Sequence, residues 1–206
     1  MKKVLLRMYK NSPFKVDRLK FYTIKCGTIK PSVFQKLNLW FFNIGFHCVL
    51  VYRFGKAARH IYDKNKIIGF IPIIIHLFLR NFVKIIHHVD IHMASEIGPG
   101  FFIMHYYSII IGPVKIGNNF TIHHNVTIGE RIANLDHGVP EIGDNVWIGP
   151  NSVISGAIKI GNGSTISAGC VISKDIPNHC LVAGNPGRII NNNYDNSAIL
   201  TFNFAG

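Results

Sequence analysis

Residues 141–173 read EIGDNVWIGPNSVISGAIKIGNGSTISAGCVIS. Ile142, Ile148, Ile154, Ile160, Ile166 and Ile172 recur there in steps of six without a miss. A period of six fits neither a helix at 3.6 nor an alternating strand at 2, so it marks a structural repeat. The same beat runs upstream through Ile91, Ile97 and Ile103, slips by one, and resumes at Ile110, Ile116, Ile122 and Ile128. Three hexads make one triangular coil of 18 residues, and each short strand lies beside its equivalent one coil later. This predicts a mostly β fold, a parallel β-helix, with one isoleucine per hexad pointing to the axis. β-Branched chains suit that strand geometry. Gly117-Asn118-Asn119, Gly143-Asp144-Asn145 and Gly161-Asn162-Gly163 suit the corners, where positive φ is common.

The beat fails once more. Ile128 and Ile142 are 14 residues apart, read as two hexads plus two. An extruded loop over 130–141, carrying Arg131, Asp136, His137 and Gly138, accounts for the gap. Long loops on rigid scaffolds are often functional.

Outside the repeat the chain divides into a basic, mainly α-helical part (1–88), the β-helix (89–190) and an Asn-rich C-terminal tail (191–206) expected to fray. Residues 1–30 are expected as loop or short helix. Pro31-Ser32 opens a helix toward Phe42, and Asp63 to Lys66 is a turn. The apolar stretch from Ile67 meets Arg80 after 13 residues, short of the roughly 20 that span a bilayer. It is read as one arm of a buried helix hairpin, with a hairpin resting on the inner membrane face as the rival.

The chain is 48% apolar and 16% charged over 206 residues, so it holds a substantial core. Its four cysteines are scattered, with no CxxC, which argues against a zinc site or disulfide framework and for a reducing, cytoplasmic setting. No secretory leader is apparent. Residues 1–90 hold 17 Lys and Arg against 3 Asp and Glu, while residues 91–206 hold 5 against 7. The basic half therefore expects an anionic surface as partner. Nucleic acid is set aside, because the basic residues are interleaved with long apolar runs and no recognition motif appears.

These residues resemble the hexapeptide-repeat acyltransferases, whose fold is a left-handed parallel β-helix. The serine acetyltransferase branch is the sharper match. Its Asp-Ile-His-Pro-x-Ala-x-Ile-Gly-x-Gly stretch reads here Asp90-Ile91-His92-Met93-Ala94-Ser95-Glu96-Ile97-Gly98-Pro99-Gly100, leading to His105. Its closing motif reads Ala183-Gly184-Asn185-Pro186-Gly187-Arg188-Ile189. The resemblance implies acetyl transfer from acetyl-CoA to a hydroxyl in a homotrimer, without metal. His105 is then the general base and Asp90, fifteen residues earlier, the carboxylate that orients it across adjacent coils. It also implies that Gly149 and Ala168 leave room for the pantetheine arm, and that Arg188 meets a CoA phosphate. A scaffold without catalysis is the alternative from another class.

The acceptor is read from departures. Met104 stands where serine enzymes carry an Asp before the catalytic His. The loop reads Leu135-Asp136-His137-Gly138-Val139-Pro140, without the Arg that meets the serine carboxylate. The runs His105-Tyr106-Tyr107-Ser108 and Thr121-Ile122-His123-His124-Asn125-Val126-Thr127 are closer to exopolysaccharide acetyltransferases of the colanic-acid type. That resemblance implies a sugar hydroxyl of a surface polysaccharide as acceptor, with serine as the alternative. Met104, Tyr106, His123, His124 and His137 are the expected acceptor contacts. The basic, apolar N-terminal part leads to the further expectation that the cytoplasmic enzyme rests on the inner membrane face, where lipid-linked glycans are built.

Overall fold

In the computed structural model, residues 12–131 and 138–200 are described. Four helices precede the β-helix. α1 (Pro13–Cys26) has proline in its first turn and stops at Gly27, whose φ of 68° is left-handed. It is a full helix where loop or a short helix was expected, and it buries Val16, Phe21 and Tyr22. α2 (Val33–Phe42) opens with a reciprocal capping box between Ser32 and Gln35.

α3 (Ile44–Lys64) and α4 (Lys66–His87) form the expected hairpin. Only Asn65 separates them, and its side chain caps α4 by accepting from the N–H groups of Ile67 and Ile68. Two glycines set how closely they cross. A Cβ at Gly55 would lie 2.3 Å from the His76 ring, and one at Gly69 would lie 2.2 Å from Tyr62 Cα. The hairpin is buried on one side only. Ile67, Ile71 and Phe78 on the outer side of α4 are exposed, contrary to a fully buried arm.

The β-helix starts at β1 (Val89–Ile91) and winds through three parallel sheets. Sheet A holds β1, β4 (Ile109–Ile111), β7 (Thr127–Gly129), β10 (Val153–Ser155) and β13 (Val171–Ile172). Sheet B holds β2 (Glu96–Ile97), β5 (Lys115–Ile116), β8 (Glu141–Ile142) and β11 (Lys159–Ile160). Sheet C holds β3 (Phe102–Ile103), β6 (Thr121–Ile122), β9 (Trp147–Ile148), β12 (Thr165–Ile166) and β14 (Leu181–Ala183). β15 (Arg188–Asn191) turns back antiparallel on β14.

The isoleucine column is the core. Ile103, Ile122, Ile128, Ile148, Ile154 and Ile166 are each 1% exposed or less. Burying one such side chain contributes about 1.5–3 kcal/mol. Asparagines hold the corners in left-handed conformation, and Asn119 and Asn125 each donate from their side chains to Asn145 and Asn151 one coil on.

Two details correct the periodic reading. Ile110 is 51% exposed, whereas Ile109 and Ile111 face inward. The slip is therefore a surplus between Ile103 and Ile111, taken up at Tyr107 and Ser108 with φ of 126° and 52°. The second break is not two hexads plus two. Ile116 pairs with Ile142 and Ile128 with Ile154, each 26 residues on, so a single side of one coil carries eight extra residues. The chain leaves after β7 and returns at β8, at the corner between sheets A and B.

The helical half closes the first coil, whose backbone groups have no preceding coil to bond. Asp17 Oδ1 accepts from the N–H groups of Gly100 and Phe101 at 2.7 and 2.9 Å. Lys20 Nζ donates to Gly100 O, Phe120 O and Thr121 Oγ1. Arg53 donates to Ile97 O and Gly98 O, and also grips Asp17. The Tyr52 hydroxyl donates to Ser95 O and accepts from Ile97 N–H. Buried backbone polar groups require such partners.

The tail does not fray over its described part. Tyr194 N–H donates to His179 O, Asn196 Nδ2 donates to Asn145 O, and α5 (Ser197–Leu200) buries Leu200.

Candidate active site

The corner that leads from sheet C to sheet A collects histidines. Met104 N–H bonds to Ile122 O and His123 N–H to Ile148 O, so Met104, His123 and Gly149 follow one another down successive coils. His105 and His124 run beside them, with Ala168 further down the same corner. The His105 ring lies 5.5 Å from His123 and 6.0 Å from His124 between centroids. His123 packs edge-on against Trp147 at 4.7 Å. Trp147 therefore forms a wall of this corner. Tyr106 is exposed at the same corner, and His87 meets it at 5.5 Å.

The electrostatics favour neutral imidazoles. Burial, then the charge of Lys25, then His124 push His105 below its ordinary value. Burial, His105, His124 and Lys25 push His123 down to about 4. Among the described residues the His123 Nε2 has no hydrogen-bond partner. Lys25, in the last turn of α1, was not singled out from sequence, because nothing in its surroundings along the chain points to residue 105. Its ammonium also sits 5.8 Å over the Phe102 ring, beside the strand that delivers His105.

Asp90 has other company. Its carboxylate takes Arg80 Nη2 at 2.8 Å and Lys84 Nζ at 2.6 Å, both from α4. Partial burial raises the Asp90 carboxyl, but the hydrogen bonds from Lys84 and Arg80 outweigh that and hold it below the usual range. Among the described residues no hydrogen bond or ion pair joins Asp90 to His105. The register explains why: Asp90 pairs with Ile110 in the next coil, twenty residues on, so a spacing of fifteen ends at the preceding corner.

Gly149 is buried and hemmed in, since a Cβ there would lie 2.7 Å from Ala168 N and 3.0 Å from Trp147. Ala168 is exposed at the corner, which leaves an open path beside it. Arg188 lies apart on the exposed final strand β15. His137 lies outside the described residues. The stems of its loop leave the A–B corner, a different corner of the same prism from His105.

Comparison with known proteins places this arrangement. Residues 140–174 match the bacterial transferase hexapeptide (six repeats) family. A serine acetyltransferase of Bacillus pumilus is 35% identical over 147 residues, covering 71% of this chain and 64% of its own. The solved serine acetyltransferase of Neisseria gonorrhoeae in complex with serine superposes with a TM-score of 0.68 at 30% identity, covering 87% of this chain and 68% of that one. That of Brucella abortus in complex with coenzyme A gives 0.69 at 28% identity, covering 86% and 66%. The chain spans 30% to 64% of the length of the curated relatives it matches.

These relatives overturn one expectation. A sugar hydroxyl of a surface polysaccharide was read as the acceptor from Met104 and the loop, and the colanic-acid type as the nearest kin. The matches fall instead on serine acetyltransferases, including the gonococcal enzyme with serine bound. Departures at single contact positions carried less information than the whole sequence does. The chain belongs to the hexapeptide-repeat transferases with a left-handed β-helix, on the serine acetyltransferase-like branch.

Proposed function

We propose that the protein transfers acetyl from acetyl-CoA to the hydroxyl of serine, with His105 as general base. The observation that carries the reading is His105 itself: an imidazole held below its ordinary pKa, open to solvent at the histidine corner, on the scaffold of serine acetyltransferases. A neutral imidazole takes the hydroxyl proton as the oxygen attacks the thioester carbonyl. The new C–O bond forms, the C–S bond breaks, and the same proton passes to the departing CoA sulfur. No acyl-enzyme is needed.

The donor would lie along the corner past Ala168, whose small exposed side chain leaves a path beside it, with Trp147 and Gly149 forming the wall. Lys25 is our candidate for the serine carboxylate, because its charge already acts on His105. It would stand in for the Arg missing from the loop. His123, His124 and Tyr106 line the acceptor side. Asp90 would orient His105 only by exchanging Arg80 and Lys84 for the imidazole. By family likeness we place the enzyme in the cytoplasm as a homotrimer.

The test is CoA release with purified protein, acetyl-CoA and L-serine. Turnover is expected with serine, and His105→Ala should lower kcat by about 10²–10⁴ while circular dichroism stays unchanged. Lys25→Met should raise KM for serine more than it lowers kcat. Absence of serine turnover by a folded, trimeric protein would refute the proposal.

A further inference from the structure

The outer side of α4 has no partner in the chain. Ile67, Ile71, Ile74, Phe78, Phe82 and Ile85 recur every three or four residues and form one stripe, each 49% exposed or more. At 1.5 Å per residue the stripe runs about 30 Å. Contiguous apolar surface of this extent marks an interaction site. α4 contains no acidic residue, and Lys64 and Lys66 are exposed at its N-terminal end.

We propose that this side of α4 lies in the headgroup region of an anionic membrane, parallel to the bilayer plane. Three observations select that occupant. First, the opposite side of the helix is fastened: His76 sits against Gly55, Gly69 against Tyr62, and Arg80 and Lys84 hold Asp90 of β1. A helix bound along one side can lie on a bilayer and cannot leave the fold to cross it, although 22 residues would be long enough. Second, the charge is complementary. Residues 12–90 carry 13 Lys and Arg against 3 Asp and Glu. A second copy would bring like charge to like charge, whereas anionic lipid neutralises it, at about 1 kcal/mol per basic residue near the surface. Third, α2 adds to the same surface. The start of α3 lies beside the end of α4 across the hairpin, and His47 in its first turn bonds to Trp40 O, so the exposed Phe41 and Phe42 belong near the last turn of α4. The inference concerns where the enzyme sits and is independent of which hydroxyl it acetylates.

The experiment is flotation of the full chain with vesicles of phosphatidylcholine alone or mixed with phosphatidylglycerol, at low and high salt. Binding is expected on the mixed vesicles at low salt, weakening as salt rises. Ile71→Glu/Phe78→Glu should reduce it by at least ~10-fold, since both positions are exposed and the change puts charge where apolar contact is needed. Serine acetylation in solution should be unchanged in that variant, which separates failure here from failure of the proposed reaction. Light scattering without vesicles gives the mass of both proteins. Absence of flotation at low salt, flotation indifferent to the double substitution, or a change of oligomer mass in the variant would each overturn the proposal; the last would assign the stripe to a protein contact.

Discussion

Replacing Asp17 with alanine should unseat the helical half from the β-helix. The carboxylate is fully buried and has three partners: the Arg53 guanidinium and the N–H groups of Gly100 and Phe101. Its burial already raises its pKa, with Arg53 the largest opposing influence. The substitution leaves two backbone donors without an acceptor and a guanidinium, 10% exposed, with only the carbonyls of Ile97 and Gly98. Breaking a buried pair in this way costs about 3–5 kcal/mol. For a chain of this length that corresponds to a fall in melting temperature of roughly 6–20 °C. Thermal unfolding followed by circular dichroism measures it, with urea titration as a second scale. The pair itself should matter less than its breakage. Asp17→Leu combined with Arg53→Met removes both charges, so the double variant should recover part of the loss, the remainder being the orphaned N–H groups of Gly100 and Phe101 and the carbonyls of Ile97 and Gly98 that lose the Arg53 donors. A loss under about 1 kcal/mol for Asp17→Ala, or a double variant worse than the sum of its singles, would refute the argument that this pair closes the first coil.

The pH dependence has a definite sign at the histidine corner. A base must be neutral to act, and His105 is pushed below its ordinary value, so kcat/KM should rise with pH through a limb centred below about 6.5; a limb centred above 7 would contradict the assignment. His123 titrates at about 4 in the fold and near 6.5 unfolded. Between those values the unfolded chain binds more protons, so stability is complete above about 6.5 and declines as pH falls toward 4. His123→Phe should flatten the slope of melting temperature against pH across that window, and an unchanged slope would point to another group.

How much the sequence disclosed follows from what each hexad must do. One β-branched residue per hexad has to fill the axis, so the fold was legible wherever an isoleucine stood alone among polar neighbours, as from Ile142 to Ile172. It failed at Ile109-Ile110-Ile111, where three identical residues give no contrast between inside and outside; only the structure shows the middle one turned out. The surplus before Ile142 was seen but misplaced, because counting along the chain cannot tell a longer side from an extra one. The Asp90 and His105 expectation met the same limit. Fifteen residues is nearly a standard coil, but the coil that starts at Asp90 returns only after twenty. The histidine corner was half legible: His105, His123 and His124 were named from their motifs, while Lys25 approaches them across eighty residues of chain. The acceptor was misread because missing contacts were weighed one at a time.

The first coil and the last strand have a joint consequence. A stack of parallel coils is open at both ends, and each bare end is a template on which another chain could continue. Here one end is covered by Asp17, Lys20, Tyr52 and Arg53, whose side chains occupy the backbone groups a further coil would need. At the other end β15 runs against the grain, and an antiparallel strand offers the wrong hydrogen-bond pattern to a parallel newcomer. The solenoid is thus finite by construction: copies of this chain can gather side by side, but they are stopped from growing into a fibre along its axis.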